Sequence, residues 1–178
     1  MATILHLSDL HLGRVRDEDI PGDYKHDLPS LRERETRFTL LQDTLTQLAA
    51  VLPQKGEPLA AVIISGDITA GHSEAGFKQL EDVLDWLGDL RPDPSRIVVV
   101  PGNHDVDWDA TGASKYDLFT KYVRDKGYIT PLLEGIDLID GRVQTECLGR
   151  HYLLDSENRW AIVPINSSHY CGTLESVN

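Results

Sequence analysis

The sequence lacks the features that mark several classes of protein. It has only two cysteines, Cys147 and Cys171, which are too few for the disulfide framework of a small secreted domain. No apolar run reaches the length of a membrane span. The strand-like start shows neither the basic region nor the cleavage site of a signal peptide. We therefore expect a cytoplasmic protein with free thiols and no membrane partner.

Positive charge is also scarce. Lys and Arg number 17 against 29 Asp and Glu, which gives a formal net charge of −12. Such a balance repels nucleic acid at long range, so a DNA-binding module is not favoured, although a small nucleotide substrate stays open. Carboxylates gathered around bound cations would account for part of the excess.

The 178 residues predict one domain, spanning 1–178, with ordinary globular composition. Three apolar runs, at residues 2–7, 60–65 and 96–100, predict β-strands. The second and third are continuous and rich in β-branched residues, which favours strands buried on both faces.

Helical patterns lie between these strands. Apolar residues spaced three and four apart predict a helix that Pro53 and Gly56 end. Ser73 is a candidate N-cap of a second helix, and a weaker third pattern covers residues 115–124. The alternation of strands and helices predicts an α/β fold with a sheet that is at least partly parallel.

The remaining stretches are less regular. Residues 14–31 carry charge and prolines and predict a surface insertion. Residues 128–149 show poor periodicity. Residues 150–155 and 159–166 predict a hairpin, with 160–166 as a further strand. His151 and His169 are interpreted as surface or strand residues.

A short polar cluster follows each of the first three strands. The clusters are "SDLH", with Asp9 and His11, then "SGD", with Asp67, and "PGNHD", with Asn103 and His104. Open α/β sheets gather ligands at the carboxyl ends of their strands, so we expect these side chains to converge. Mixed carboxylate, imidazole and amide ligands suit manganese, iron or zinc, and neither cysteine is near a cluster in the sequence.

Each cluster alone has an ordinary explanation. An Asp and a His two residues apart are common, and both Gly-Asp and "PGNHD" are typical of turns. Their joint occurrence at three strand ends favours a site for two divalent cations. Such a pair lowers the pKa of a bridging water and clamps phosphoryl oxygens. His104 is then a candidate proton donor or charge stabiliser, and Asp105 is a candidate to orient His104 or a metal-bound histidine.

The three clusters resemble, in order and spacing, the first three motifs of the calcineurin-like metallophosphoesterases. The resemblance implies a four-layer α/β/β/α sandwich with a dinuclear metal site. It implies Asp9 and His11 on one metal, Asp67 bridging, Asn103 on the other, and His104 facing the substrate phosphate. Within the family, "ILHLSDLHLG" and "VVVPGNHDVDW" are most similar to the bacterial cyclic-nucleotide phosphodiesterase branch.

The family pattern also includes a later lone histidine and a Gly-His-any-His turn, which this sequence lacks. The resemblance therefore implies roughly the N-terminal two-thirds of a domain. A missing C-terminal segment or a partner chain would supply the further histidines. Two alternatives stay open: a degenerate binding or scaffold module on the same fold, and a nuclease subunit. The latter rests on "LHLSDLHLGR" with a long insertion. A nuclease would favour a basic groove, but the sequence has no basic run beyond Arg32, Arg34 and Arg37, which are interleaved with Glu33 and Glu35.

Overall fold

The computed structural model describes residues 2–13, 31–56, 58–144, 151–155, 157 and 159–172. Most of the predicted insertion at 14–31 lies outside these residues, as does Cys147. The elements in chain order are β1 (Thr3–Leu7), α1 (Leu31–Val51), β2 (Leu59–Ser65), α2 (Glu74–Asp85), β3 (Ile97–Val100), α3 (Asp117–Tyr122), β4 (Leu138–Ile139), β5 (Arg142–Val143), β6 (Leu153–Leu154) and β7 (Ala161–Ile162).

The first three strands form one parallel sheet in the order β1-β2-β3. A helix connects each strand to the next, because parallel neighbours need a crossover. The predicted α/β alternation and parallel pairing are therefore confirmed. All three strands end at the same edge of the sheet, so the loops that follow them are neighbours.

The main hydrophobic core lies between this sheet and its helices. Val62 and Ile64 of β2 and Val99 of β3 belong to it, together with residues from α1, α2 and α3. A smaller core lies on the opposite face, where Ala61 and Val98 pack with residues of the β6–β7 hairpin. Alternate residues of β2 and β3 thus serve two cores, which is why their apolar runs are continuous.

Helix α2 begins where the sequence predicts. The Ser73 hydroxyl accepts a hydrogen bond from the Gly76 amide at 3.3 Å, which satisfies one of the orphan N–H groups at the start of the helix. Its apolar stripe is fully buried: Phe77, Leu80, Leu84 and, just after the helix, Leu87. Burying a side chain of this kind contributes roughly 1.5–3 kcal/mol, so this stripe fixes the helix on the sheet.

Other elements differ from expectation. Strand β1 is covered on one face only, since Ile4 is 39% exposed and alternate residues of the strand are exposed. The irregular 128–149 stretch contains the short antiparallel β4–β5 pair. The predicted hairpin exists, but its paired part is two residues in each strand, Leu153↔Ile162 and Leu154↔Ala161. The four-layer sandwich stays a prediction.

None of the helices in the described part of the chain is both long and apolar enough to cross a membrane.

Candidate metal centre

The first motif loop is hydrogen-bonded to the second along its length. The Asp9 amide donates to the Gly66 carbonyl at 3.3 Å and the His11 amide to the Asp67 carbonyl at 2.9 Å. The Leu12 amide then donates to the Ile68 carbonyl at 2.7 Å. These bonds continue the pairing of β1 with β2 beyond the strands, so Asp9, His11 and Asp67 are carried on one rigid backbone unit.

The three candidate ligands share an unusual backbone conformation. Asp9, His11 and Asp67 have φ angles of 55°, 47° and 48°, in the left-handed region that non-glycine residues seldom occupy. Such residues cluster at functional sites, where the surrounding structure compensates for the strain. Because β1 ends at Leu7, Asp9 and His11 lie in the loop after the strand and not on a continuation of it.

The side chains of Asp9, His11 and Asp67 converge. Each offers one ligand atom, and these atoms all lie within 4.8 Å of one another. Asp9 is exposed and the other two are half-buried. Two carboxylates and one imidazole at this spacing can bind a divalent cation through oxygen and nitrogen.

The surroundings of His11 favour its neutral imidazole, which is the form that binds metals. Burial lowers its pKa, with help from the neighbouring His104, although Asp67 and Asp9 oppose the shift. Its Nδ1 atom is buried and has no hydrogen-bond partner among the described residues. A buried nitrogen without a partner is costly, and a cation bound there would remove that cost. The residues present therefore fit a metal ion.

The third motif loop adds two more predicted residues to the site. Asn103 lines the same cavity as Asp9 and Asp67. The Trp108 indole N–H donates to the backbone carbonyl of Asn103 at 2.7 Å. The His104 amide donates to Asp67 Oδ1 at 3.2 Å. The rings of His104 and His11 meet edge to face, with centroids 5.3 Å apart.

Asp105 is buried between the second and third motif loops. Its carboxylate is 0% exposed and accepts three backbone N–H groups: Ile68 at 3.0 Å, Thr69 at 2.8 Å and Gly102 at 2.9 Å. Burial raises its pKa to about 6, and these three bonds oppose the shift. Asp105 therefore joins the second motif loop to the third instead of facing the cavity, and a catalytic role for it stays a prediction.

Gly102 lets the second and third loops approach closely. A Cβ atom there would lie 2.0 Å from Asp67 Oδ1 and 2.3 Å from the Asp67 amide nitrogen. We expect Gly102→Ala to displace Asp67 and weaken Mn²⁺ binding by at least about tenfold, since small misplacements are costly in preorganised sites. Isothermal titration calorimetry with Mn²⁺ measures this.

The matched control for this substitution is Gly56→Ala. Gly56 has a φ of 68° and open space around its Cβ position, so alanine there costs roughly 1–2 kcal/mol of stability without touching the site. Equal Mn²⁺ affinities of the two variants would contradict the packing argument.

Part of the cavity wall comes from residues that the sequence did not indicate. The cavity has a volume of about 440 Å³, and Ile165, Ser167, Ser168 and Cys171 line it together with residues of the motif loops. Burial raises the pKa of the Cys171 thiol, and Asp67 adds to the shift while Lys115 opposes it. A cysteine distant in sequence is thus part of the site.

Lys115 holds this wall in place. The lysine is only 8% exposed, and its ammonium group donates to the His169 carbonyl at 3.0 Å and to the Cys171 carbonyl. Asn166 donates to the Tyr116 hydroxyl at 2.9 Å. His169 also pairs with Glu134, with 3.0 Å between Nε2 and Oε2, so it faces a carboxylate and is not part of the three-residue metal cluster.

Two carboxylates and an imidazole thus meet at the carboxyl edge of a parallel sheet. This arrangement defines an α/β protein with a metal-binding site at its strand ends. The family model of the calcineurin-like phosphoesterases matches residues 2–170. The chain therefore belongs to that family, whose members are metal-dependent phosphoesterases. No curated protein matches the sequence closely enough to count as a relative.

Proposed function

We propose that the protein is a phosphodiesterase that uses two divalent cations. The observation that carries this proposal is the convergence of Asp9, His11 and Asp67 within 4.8 Å on a cavity that Asn103 also lines. These are the residues that the family resemblance assigns to two adjacent metals. The bacterial cyclic-nucleotide phosphodiesterase branch is the part of the family in which we place it.

The residues divide between two cations as follows. Asp9 and His11 would hold one cation, Asp67 would be shared by both, and Asn103 would offer its amide oxygen to the second. A pair of divalent cations supplies an activated water and neutralises charge on the phosphoryl oxygens. Because Asp67 Oδ1 already accepts the His104 amide, the orientation of this carboxylate is set before any cation binds.

His104 is the proposed acid. Its ring lies against that of His11, on the loop that also carries Asn103, and the family resemblance assigns it to the substrate phosphate and not to the metal ligands. From there it donates a proton to the leaving oxygen or a hydrogen bond to the phosphoryl group.

The cavity has room for a diester. Among the described residues, its lining includes the hydroxyls of Ser167 and Ser168 and the apolar side chain of Ile165 beside the carboxylates of Asp9 and Asp67. A diester carries one negative charge and a second, neutral substituent, which hydroxyl and apolar groups of this kind can contact. The volume of about 440 Å³ is within the usual range for small-molecule sites, and a nucleotide-like diester fits this description.

We further propose that additional ligands complete the site. In the part of the chain that the structure describes, only Asp9, His11 and Asp67 form a three-residue group of metal-binding side chains. Two cations need more ligands than these and Asn103 supply. Histidines from a further segment or from a partner chain would fill the remaining positions, and the mixed oxygen and nitrogen donors suit manganese, with iron or zinc as other candidates.

The test is metal-dependent hydrolysis by the natural full-length protein. We expect Mn²⁺ to stimulate hydrolysis of bis-p-nitrophenyl phosphate, EDTA to abolish it, and p-nitrophenyl phosphate to be the poorer substrate. Faster cleavage of the monoester would contradict the diesterase assignment. Absence of metal binding in a stable, folded monomer would instead support a scaffold module.

A further inference from the structure

The carbonyl of His104 is held by two hydrogen bonds that the proposed chemistry does not explain. The Thr69 hydroxyl donates to it at 2.8 Å, and the His72 amide donates to the same oxygen. Thr69 is 0% exposed, whereas threonine is more often exposed. A buried hydroxyl of this kind has a specific task in the structure.

The direction of the Thr69 hydroxyl is fixed by its neighbours. Its oxygen accepts the Ser73 amide at 3.4 Å, and the Thr69 amide donates to Asp105 Oδ1 at 2.8 Å. Because the Ser73 amide donates to the Thr69 hydroxyl oxygen, the hydroxyl hydrogen of Thr69 is directed to the His104 carbonyl. The backbone of Thr69 is held by Asp105 independently of the hydroxyl.

Thr69 lies where all three motif loops meet. It is paired with Leu12 in an isolated β-bridge, it follows Asp67 by two residues, and it contacts the third loop through Asp105 and His104. A shift of the His104 peptide would also move its amide, which binds Asp67 Oδ1, and its ring, which contacts His11.

We propose that the Thr69 hydroxyl is a positioning group for His104 in phosphodiester hydrolysis. It fixes the His104 peptide and, through it, the direction of the imidazole towards the phosphate. The catalytic consequence of this inference rests on the proposed function. The hydrogen bond from the Thr69 hydroxyl to the His104 carbonyl is itself present without substrate or metal. Thr69 does not touch the reacting atoms and acts only through His104.

Two substitutions separate the hydroxyl from the rest of the side chain. Thr69→Val keeps the branched shape and removes the O–H group, while Thr69→Ser keeps the O–H group and removes a methyl. In Thr69→Val the His104 carbonyl still accepts the His72 amide, so no buried carbonyl is left without a donor and the fold should persist.

The expected kinetic result is a loss in kcat with little change in KM. Thr69→Val should lower kcat for bis-p-nitrophenyl phosphate about tenfold, in keeping with the cost of a small misplacement, and Thr69→Ser should recover most of it. Mn²⁺ affinity should fall less than kcat in both, because the ligand side chains are unchanged and only the contact of the His104 amide with Asp67 is affected. Equal losses in both variants, a change mainly in KM, or unchanged kcat in Thr69→Val would overturn the proposal.

A second measurement does not depend on activity. Histidine-selective NMR of the metal-free protein reports the His104 ring, with its signal assigned by loss in His104→Asn. We expect Thr69→Val to shift or broaden this signal and Thr69→Ser to restore it, while the signal of the distant His151 stays unchanged. If Thr69→Val does not fold, Thr69→Ala gives the same comparison. An unchanged His104 signal in Thr69→Val overturns the positioning role, whether or not the wild type is active. An inactive wild type would refute the proposed function but not the positioning role.

Discussion

Asp67→Asn is expected to abolish Mn²⁺-dependent hydrolysis and to weaken Mn²⁺ binding more than about a hundredfold. Substitution of residues that merely support metal ligands costs about 10–100-fold, and Asp67 is the carboxylate at the centre of the proposed site. Asparagine has the same shape and keeps an oxygen for the His104 amide, so the fold should be unaffected. Calorimetric titration with Mn²⁺ and rates on bis-p-nitrophenyl phosphate measure the two effects.

The matched control is Asp82→Asn. Asp82 is an exposed carboxylate on α2, so its neutralisation changes the net charge by the same amount without reaching the cavity. We expect this variant to keep wild-type affinity and rate. Full activity in Asp67→Asn would refute the hydrolase proposal, and equal losses in the two variants would show a general effect of charge.

The strands and helices that position the site were predictable because their signals are local. Continuous β-branched runs gave β2 and β3, and the cap at Ser73 gave the start of α2. The convergence of the polar clusters followed from a rule of topology, since ligands gather at the carboxyl edge of parallel strands. The family model then agreed with the motif resemblance.

The parts that could not be predicted depend on contacts between distant residues. Cys171 reaches the cavity only because Lys115 binds the carbonyls of the last described loop. His151, interpreted as a surface or strand residue, is buried, with Nδ1 2.7 Å from the Thr130 carbonyl. No local pattern encodes such pairings, since they arise when separate segments pack.

The strained backbone at the site was also beyond sequence reasoning. A left-handed φ is uncommon outside glycine, although aspartate and histidine adopt it more often than most residues, and Asp9, His11 and Asp67 all have it. The hydrogen bonds between the first and second loops compensate for this strain. The hydrogen bonds between the first and second motif loops thus set the geometry of the candidate ligands. Asp105 joins the third motif loop to the second.

Asp105→Ala is expected to destabilise the metal-free protein by about 2–4 kcal/mol at neutral pH. It leaves three N–H groups, of Ile68, Thr69 and Gly102, without their acceptor, and each buried unsatisfied donor costs about 1–3 kcal/mol. Relief from burying a carboxylate offsets part of this, since burial raises its pKa to about 6. Urea unfolding in EDTA measures the difference, and Asp125→Asn, an exposed site, is the control.

The raised pKa of Asp105 gives this prediction a dependence on pH. Because the folded state holds this proton more tightly than the unfolded chain, the contribution of Asp105 to stability is greatest below about pH 4 and falls as the pH rises to about 6. The stability difference between wild type and Asp105→Ala should therefore be larger at about pH 5 than at about pH 7. A difference that grows with pH instead would mean that the three N–H bonds outweigh burial. Equal stability of Asp105→Ala and Asp125→Asn would contradict the conclusion that Asp105 joins the motif loops.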